Sequence, residues 1–234
     1  LCFFKICKTI ILLDNKEYIP LYVRGELLQE NEYTLKDIFV CEYKDFQVPK
    51  FMYLDGEMYT LFGAELNIMD MEGHVDLPER TLKQMDLCVA SMHGPCFHPG
   101  TIEENTKTYL NVMKNPYVNI IGHPDDSYYP VDYRALVEGA KEHHVLLEVN
   151  NGSLTPGGFR QNTKENSCKM LELCKEYKVP VIMDSDAHVD TAVGNHQYPL
   201  EVIQMVDFPE ELVVNTNVEL AKSFLNYFKS PEHL

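Results

Sequence analysis

Five residues able to bind a divalent metal stand where short apolar runs end. They are Glu65 in LFGAEL, His93 in LCVASMH, His123 in VNIIGH, and Asp186 with His188 in VPVIMDSDAH. Each run is brief, apolar and closed by turn residues, which is the pattern of a buried β-strand. Side chains at the carboxyl ends of successive parallel strands converge on one mouth of an α/β barrel or open sheet. Three imidazoles and two carboxylates meeting there make a site for one or two divalent ions.

The strongest unit is Asp184-Ser185-Asp186-Ala187-His188. Residues two apart at a strand end share a face, so Asp186 and His188 can aim into one mouth. Alone, Asp186 could cap a loop and His188 could be surface polar, but the companion ligands favour the metal reading. A single histidine after a strand is ordinarily structural. The recurrence of that context at His93 and His123 shifts both toward ligation. Pro124 stops the strand before it, and Gly122 permits close backbone approach. Glu65 follows Gly63 in a run too apolar for an unaccompanied carboxylate, and a metal is a suitable partner.

Other polar residues reach the same mouth. Asn150, Asn151, Ser153 and Arg160 follow the run VLLEVN, so Asn150 and Arg160 are candidate substrate-binding residues. A guanidinium there could grip a phosphate through two hydrogen bonds. The remaining histidines are weaker candidates. His74 sits in a turn, His143 and His144 end a helix, His98 and His196 lie in loops, and His233 is terminal.

These positions require a βα rhythm, and the chain has one from about Met58 onward. Strands are expected at Tyr59–Leu66, Asp86–Met92, Val118–Gly122, Val145–Asn150, Val179–Asp184 and Leu212–Asn215. Helices are expected near Pro78, from the capping box Thr101-Ile-Glu-Glu104 to about Lys114, and at Val131–His143, Thr163–Tyr177, Pro199–Val206 and Val218–Phe228. Alternating elements at this spacing imply a parallel sheet with right-handed crossovers. The first 45 residues show no such rhythm, with one strand expected at each apolar piece, Thr9–Leu13 and Ile38–Cys41.

At 234 residues the chain suits one α/β domain. The net charge of −16, from 20 basic and 36 acidic residues, argues against nucleic-acid binding. It does not oppose a phosphorylated substrate, because bound metals reverse the local charge. No apolar run approaches the roughly 20 residues of a membrane span. The opening LCFFKICKTIILL carries Lys5 and Lys8 and no small-residue cleavage site, so a signal peptide is not expected. Seven cysteines, an odd number with no C-x-x-C pair, read as reduced thiols in a cytoplasmic protein.

The motifs GAELNI (63–68), DLPE (76–79), ASMHGPCFHPGTIEENT (90–106), NPYVNIIGHPDD (115–126), LLEVNNGSL (146–154) and SDAH (185–188) resemble the PHP (polymerase and histidinol phosphatase) superfamily, in particular its YcdX-like phosphatases. They occur in the family's order. The resemblance implies a single domain over 1–234, with 46–229 family-like and 1–45 atypical. It implies a distorted (β/α)7 TIM-like barrel, incomplete or altered at its N-terminus. It also implies up to three metals, zinc or manganese and in some cases iron, and hydrolysis of a phosphoester. On this resemblance Glu65 matches the bridging glutamate, His93 and His123 match ligands of one metal, and Asp186 and His188 match ligands of the others. Glu65 and Asp186 are then the catalytic candidates.

The chain departs from the family in two places. The family opens with an H-x-H strand, whereas the first histidine here is His74. Asp184 stands where the family usually carries glycine. Fewer than three metals are therefore expected. The leading expectation is a metal-dependent phosphatase acting on a small phosphomonoester, without nucleic-acid or membrane partners. The alternatives are a truncated or diverged relative that serves as an inactive binding module, and another barrel metallohydrolase such as an amidohydrolase. Oligomeric state is not legible.

Overall fold

The strands around the candidate ligands begin apolar, and most gain polar residues toward their carboxyl ends, which builds the site. The computed structural model describes residues 61, 63–189 and 192–226, with the backbone of three short strands before them. Those three are β1 (Ile11–Leu13), β2 (Met52–Leu54) and β3 (Met58–Thr60). They pair antiparallel in the order β1-β3-β2. The strand expected at Ile38–Cys41 lies outside the described residues.

The second sheet is parallel and holds β4 (Gly63–Asn67), β5 (Leu87–Ser91), β6 (Ile120–Ile121), β7 (Leu146–Asn150) and β8 (Val181–Asp184). Its order, β4-β5-β6-β7-β8, follows the chain. The helices between these strands are α1 (Glu79–Leu82), α2 (Ile102–Val112), α3 (Tyr133–His143), α4 (Asn151–Leu154) and α5 (Thr163–Tyr177). After β8 come α6 (Gln197–Met205) and α7 (Val218–Lys222). The chain is thus a mixed α/β protein with a five-stranded parallel sheet.

Each face of this sheet has a distinct partner. Leu66, Cys88, Ala90, Ile121, Leu147, Val149 and Met183 join Val112, Leu136, Met170 and Leu171 of the helices in one core. Leu61, Leu87, Val89, Ile120, Leu146 and Ile182 pack with Val214, Ala221, Phe224 and Leu225 in a second. Residues two apart share a face, so Glu65, Ser91, Glu148, Asn150 and Asp184 continue the second face toward the carboxyl ends of the strands. All five are buried. One face is therefore apolar at the amino ends and polar at the carboxyl ends. The buried Asn119 side chain ties the apolar end shut: its Oδ1 accepts from the Cys88 amide at 2.6 Å, and its Nδ2 donates to the Phe224 carbonyl at 2.6 Å.

Several expected elements differ in detail. The strand expected at Tyr59–Leu66 is two strands, β3 and β4, in different sheets. The strand expected at Leu212–Asn215 is a single parallel bridge, Val181 to Val213, between two 3-10 turns at Glu210–Leu212 and Val214–Thr216. The Asn215 side chain replaces ladder bonds there, since its Oδ1 accepts from the Met183 amide and its Nδ2 donates to the Met183 carbonyl. Pro78 is the N-cap of α1 rather than its first residue. The capping box at Thr101 and Glu104 forms in full. The expected helix Val218–Phe228 is interrupted: α7 ends at Lys222, Asn226 is again helical, and the rest of the span lies outside the described residues.

Candidate metal centre

Three of the five candidate ligands meet. Glu65, midway along β4, His93, just past β5, and His123, just past β6, each offer one ligand atom, and the three atoms lie within 4.8 Å of one another. The Nε2 atoms of His93 and His123 are 3.2 Å apart. Each lies 3.3 Å from Glu65 Oε1. Glu65 and His123 are buried, while the His93 side chain keeps 23% of its surface exposed. The cluster therefore opens to solvent on the His93 side.

The surroundings fix how these groups are protonated. Asp76 accepts from Asn67 twice: its Oδ1 takes the Asn67 amide at 3.0 Å, and its Oδ2 takes Asn67 Nδ2 at 2.5 Å. Asn67 must turn its NH2 to the carboxylate, so its Oδ1 faces His93 Nδ1 at 2.8 Å. In its neutral form His93 then carries its proton on Nδ1 and presents a lone pair on Nε2. Burial also lowers the pKa of His123, only partly opposed by the Glu65 carboxylate, which favours its neutral ring. Ser91 Oγ donates to Glu65 Oε1 at 2.9 Å and orients the carboxylate.

This arrangement fits a divalent ion. An unprotonated imidazole nitrogen 3.2 Å from another, with a carboxylate oxygen 3.3 Å from both, is a cluster that a shared cation stabilises. Two imidazoles and one glutamate form a donor set that holds catalytic zinc with one position open. Hydrogen-bond partners behind the ligands, Ser91 donating to Glu65 and Asn67 accepting from His93, are the usual second layer of such sites.

The backbone is bent where the ligands sit. His123 has φ 33° and Asp186 has φ 47°. Side chains other than glycine rarely enter this left-handed region, at a cost of about 1–3 kcal/mol each. His144 and Lys178 also have positive φ, but they cap helices, where that conformation is routine. His123 and Asp186 have no such excuse, and both stand at this mouth. Gly122 meets a separate demand: a Cβ there would lie 2.1 Å from Ser91 Oγ and 2.9 Å from Val89 Cγ1. A side chain at position 122, just past β6, would displace the Ser91 hydroxyl that holds Glu65.

Asp186 and His188 lie outside the group of three and are joined to it by a buried relay. The His123 amide donates to Glu148 Oε2 at 2.6 Å. Asn150 Nδ2 donates to the same Glu148 oxygen at 3.0 Å and to Asp186 Oδ2 at 3.2 Å. The Asp186 amide donates to Asp184 Oδ1 at 2.9 Å. Arg160 Nη1 lies 3.5 Å from Asp186 Oδ2 and donates to Ser153 Oγ at 3.0 Å. The Arg160 and Asp186 side chains are 8% and 7% exposed, so this pair is shielded from water. His188 is exposed, with Nδ1 2.8 Å from the Asp186 carbonyl oxygen and 4.0 Å from Asp186 Oδ1. His74 and His98 are exposed, and His144 stacks on Phe224 at 4.0 Å, on the apolar face.

Four positioning residues were not singled out from sequence: Asn67, Asp76, Ser91 and Glu148. Three of them carry a readable signal. Glu65 with Asn67, Ser91 with His93, Glu148 with Asn150, and Asp184 with Asp186 are polar pairs two apart at the ends of apolar strands. Asp125 was also missed. It is fully buried, Ser167 Oγ donates to its Oδ2 at 3.0 Å, and burial raises its pKa to about 7.

No family model matches the chain. Curated relatives do. Over 170 residues it is 44% identical to a probable phosphatase of Clostridium novyi, covering 73% of this chain and 68% of the relative. Over 184 residues it is 39% identical to a probable phosphatase of Clostridium acetobutylicum, covering 79% and 72%. Over 172 residues it is 41% identical to a probable phosphatase of Caldicellulosiruptor saccharolyticus, covering 74% and 70%. With this identity spread over most of both chains, the chain belongs to the family of these probable phosphatases.

Proposed function

We propose that the protein is a metal-dependent phosphatase of the PHP type, acting on a small phosphomonoester. The observation that carries this reading is the meeting of Glu65, His93 and His123 toward the carboxyl ends of three neighbouring strands. A divalent ion bound there would supply Lewis-acid polarisation of a phosphoryl oxygen and a more acidic water. Glu65, His93 and His123 hold that ion in our reading. Asp186 and His188 are proposed to contribute to further metal binding at the same mouth, with fewer than three ions in all. Zinc, manganese and iron all suit this donor set.

The protein's own groups do the rest. Arg160 is the cation nearest Asp186, and its planar fork suits phosphoryl oxygens. Ser153 and Asp186 hold that fork in place before substrate arrives. Asn150 fixes the Asp186 carboxylate through Oδ2, and Asp186 orients the attacking water. Burial of Arg160 and Asp186 strengthens each electrostatic contact relative to bulk water.

We read the parallel sheet as part of a distorted (β/α)7 barrel. Its strands follow chain order, and both of its faces are buried. Cytoplasmic residence is proposed from the cysteine pattern of the sequence, an odd seven with no C-x-x-C pair. Among the described residues no helix is long and apolar enough to cross a membrane. The test is hydrolysis of p-nitrophenyl phosphate by chelator-stripped protein. Turnover that returns with zinc or manganese supports the reading, and turnover indifferent to chelator overturns it.

A further inference from the structure

Phe159 is 85% exposed, more than any other large apolar residue described. It stands beside the guanidinium to which we assign the phosphate. The Arg160 guanidinium carbon lies over the Phe159 ring, 5.1 Å from its centroid. Arg160 itself is turned inward, with Nη1 on Ser153 and near Asp186. The pair therefore bridges interior and surface: the cation points into the mouth, and the ring forms its rim.

The exposure is not fraying. The chain is pinned on both sides of the ring. The Gly158 amide donates to the Thr155 carbonyl at 3.1 Å. The Gln161 amide donates to Asp126 Oδ1 at 3.0 Å, and the Ser127 amide donates to the Gln161 carbonyl at 3.0 Å. Thr163 Oγ1 donates to the Ser153 carbonyl at 3.0 Å. Gly157 has φ 78°, a turn that favours glycine, and directs the loop outward before Phe159. An anchored loop thus holds an aromatic ring in water, where it gains nothing by burial.

We infer that Phe159 is a specificity-determining residue that stacks on the leaving group, so that the substrate class is a phosphomonoester of a planar aromatic alcohol. This rests on the reading of Arg160 as the phosphate-binding group. In such an ester the aromatic ring is joined to phosphorus through one oxygen, so phosphoryl and ring lie side by side. Arg160 and Phe159 are adjacent in the same way. Offset stacking on an exposed ring adds apolar burial and quadrupole attraction that an aliphatic leaving group cannot supply.

The experiment compares binding of phenylphosphonate and methylphosphonate to the full, metal-loaded chain by calorimetry, in wild type, Phe159→Ala and Phe159→Tyr. Hydrolysis of phenyl phosphate is followed in parallel. Wild type and Phe159→Tyr should favour phenylphosphonate, and in Phe159→Ala the ratio of the two affinities should fall roughly three- to tenfold. A ratio unchanged in Phe159→Ala, in protein that still hydrolyses phenyl phosphate, overturns this inference alone. Wild type that binds neither phosphonate and hydrolyses no phosphomonoester overturns the phosphatase reading and this inference with it.

Discussion

Asn67 Oδ1 sits 2.8 Å from His93 Nδ1, and that contact decides which nitrogen of His93 faces the metal centre. Asp76 holds the amide so that only its oxygen can reach the ring. Asn67→Leu should therefore weaken zinc binding by about 10–100-fold, the usual loss on removing such a support. The double variant Asn67→Asp with Asp76→Asn, which keeps an acceptor toward His93 and a donor–acceptor pair between positions 67 and 76, should retain most of it. Competition with a chromogenic chelator reads both. Equal affinity in Asn67→Leu and wild type would show that the His93 tautomer is set by something else.

Gly122→Ala should lower stability by about 1–3 kcal/mol, the range for forcing a methyl group into a packed site. The added carbon would fall 2.1 Å from Ser91 Oγ, which holds Glu65. Ser91→Gly should recover part of the loss, because it removes the atom that clashes. Urea unfolding of both single variants and the double variant measures the coupling. Strict additivity would place the clash elsewhere.

Asp125 gives the metal-free protein a pH signature. Burial raises its folded pKa to about 7, above an unfolded value of roughly 3.9. A carboxyl shifted this way contributes its full stability below the unfolded pKa, and loses it as pH rises toward the folded one. Asp125→Asn should then be more stable than wild type at pH 8, by on the order of 1–3 kcal/mol. The advantage should shrink as pH falls toward 4. His123, whose pKa is lowered, acts the other way below the ordinary imidazole range but is common to both proteins, so it cancels in the difference. Urea unfolding at each pH, with chelator present, measures this, and a difference that does not vary with pH would contradict it.

Much of the centre was legible because its residues are local features of strands. Glu65, His93 and His123 each end an apolar run, and sequential parallel strands bring such ends together. Asn150 and Arg160, expected at the same mouth, each contact Asp186: Asn150 Nδ2 donates to its Oδ2, and Arg160 Nη1 lies 3.5 Å from that oxygen. The residues that were not legible work through distance in sequence. Asp76 matters because it reaches Asn67 nine residues back, and Asp125 because Ser167, on α5, bonds to it. The polar pairs two apart on each strand did hold a signal for Ser91 and Glu148, since a charge inside a run like VLLEV needs a buried partner. Leu212–Asn215 failed as a strand because Asn215 satisfies Met183 with its side chain, which removes the need for a ladder.

The most direct test of the central claim is to measure metal content and p-nitrophenyl phosphate turnover on the same preparations of wild type, His93→Ala and His123→Ala. Each histidine supplies one of three ligand atoms, and such sites need three or four. Wild type should carry tightly bound divalent metal, at fewer than three equivalents. Each variant should lose most of it, and turnover should fall about 100-fold or more as the site's preorganised charge disappears. Variants that keep both metal and turnover at wild-type levels would show that Glu65, His93 and His123 are not the centre of this protein's chemistry.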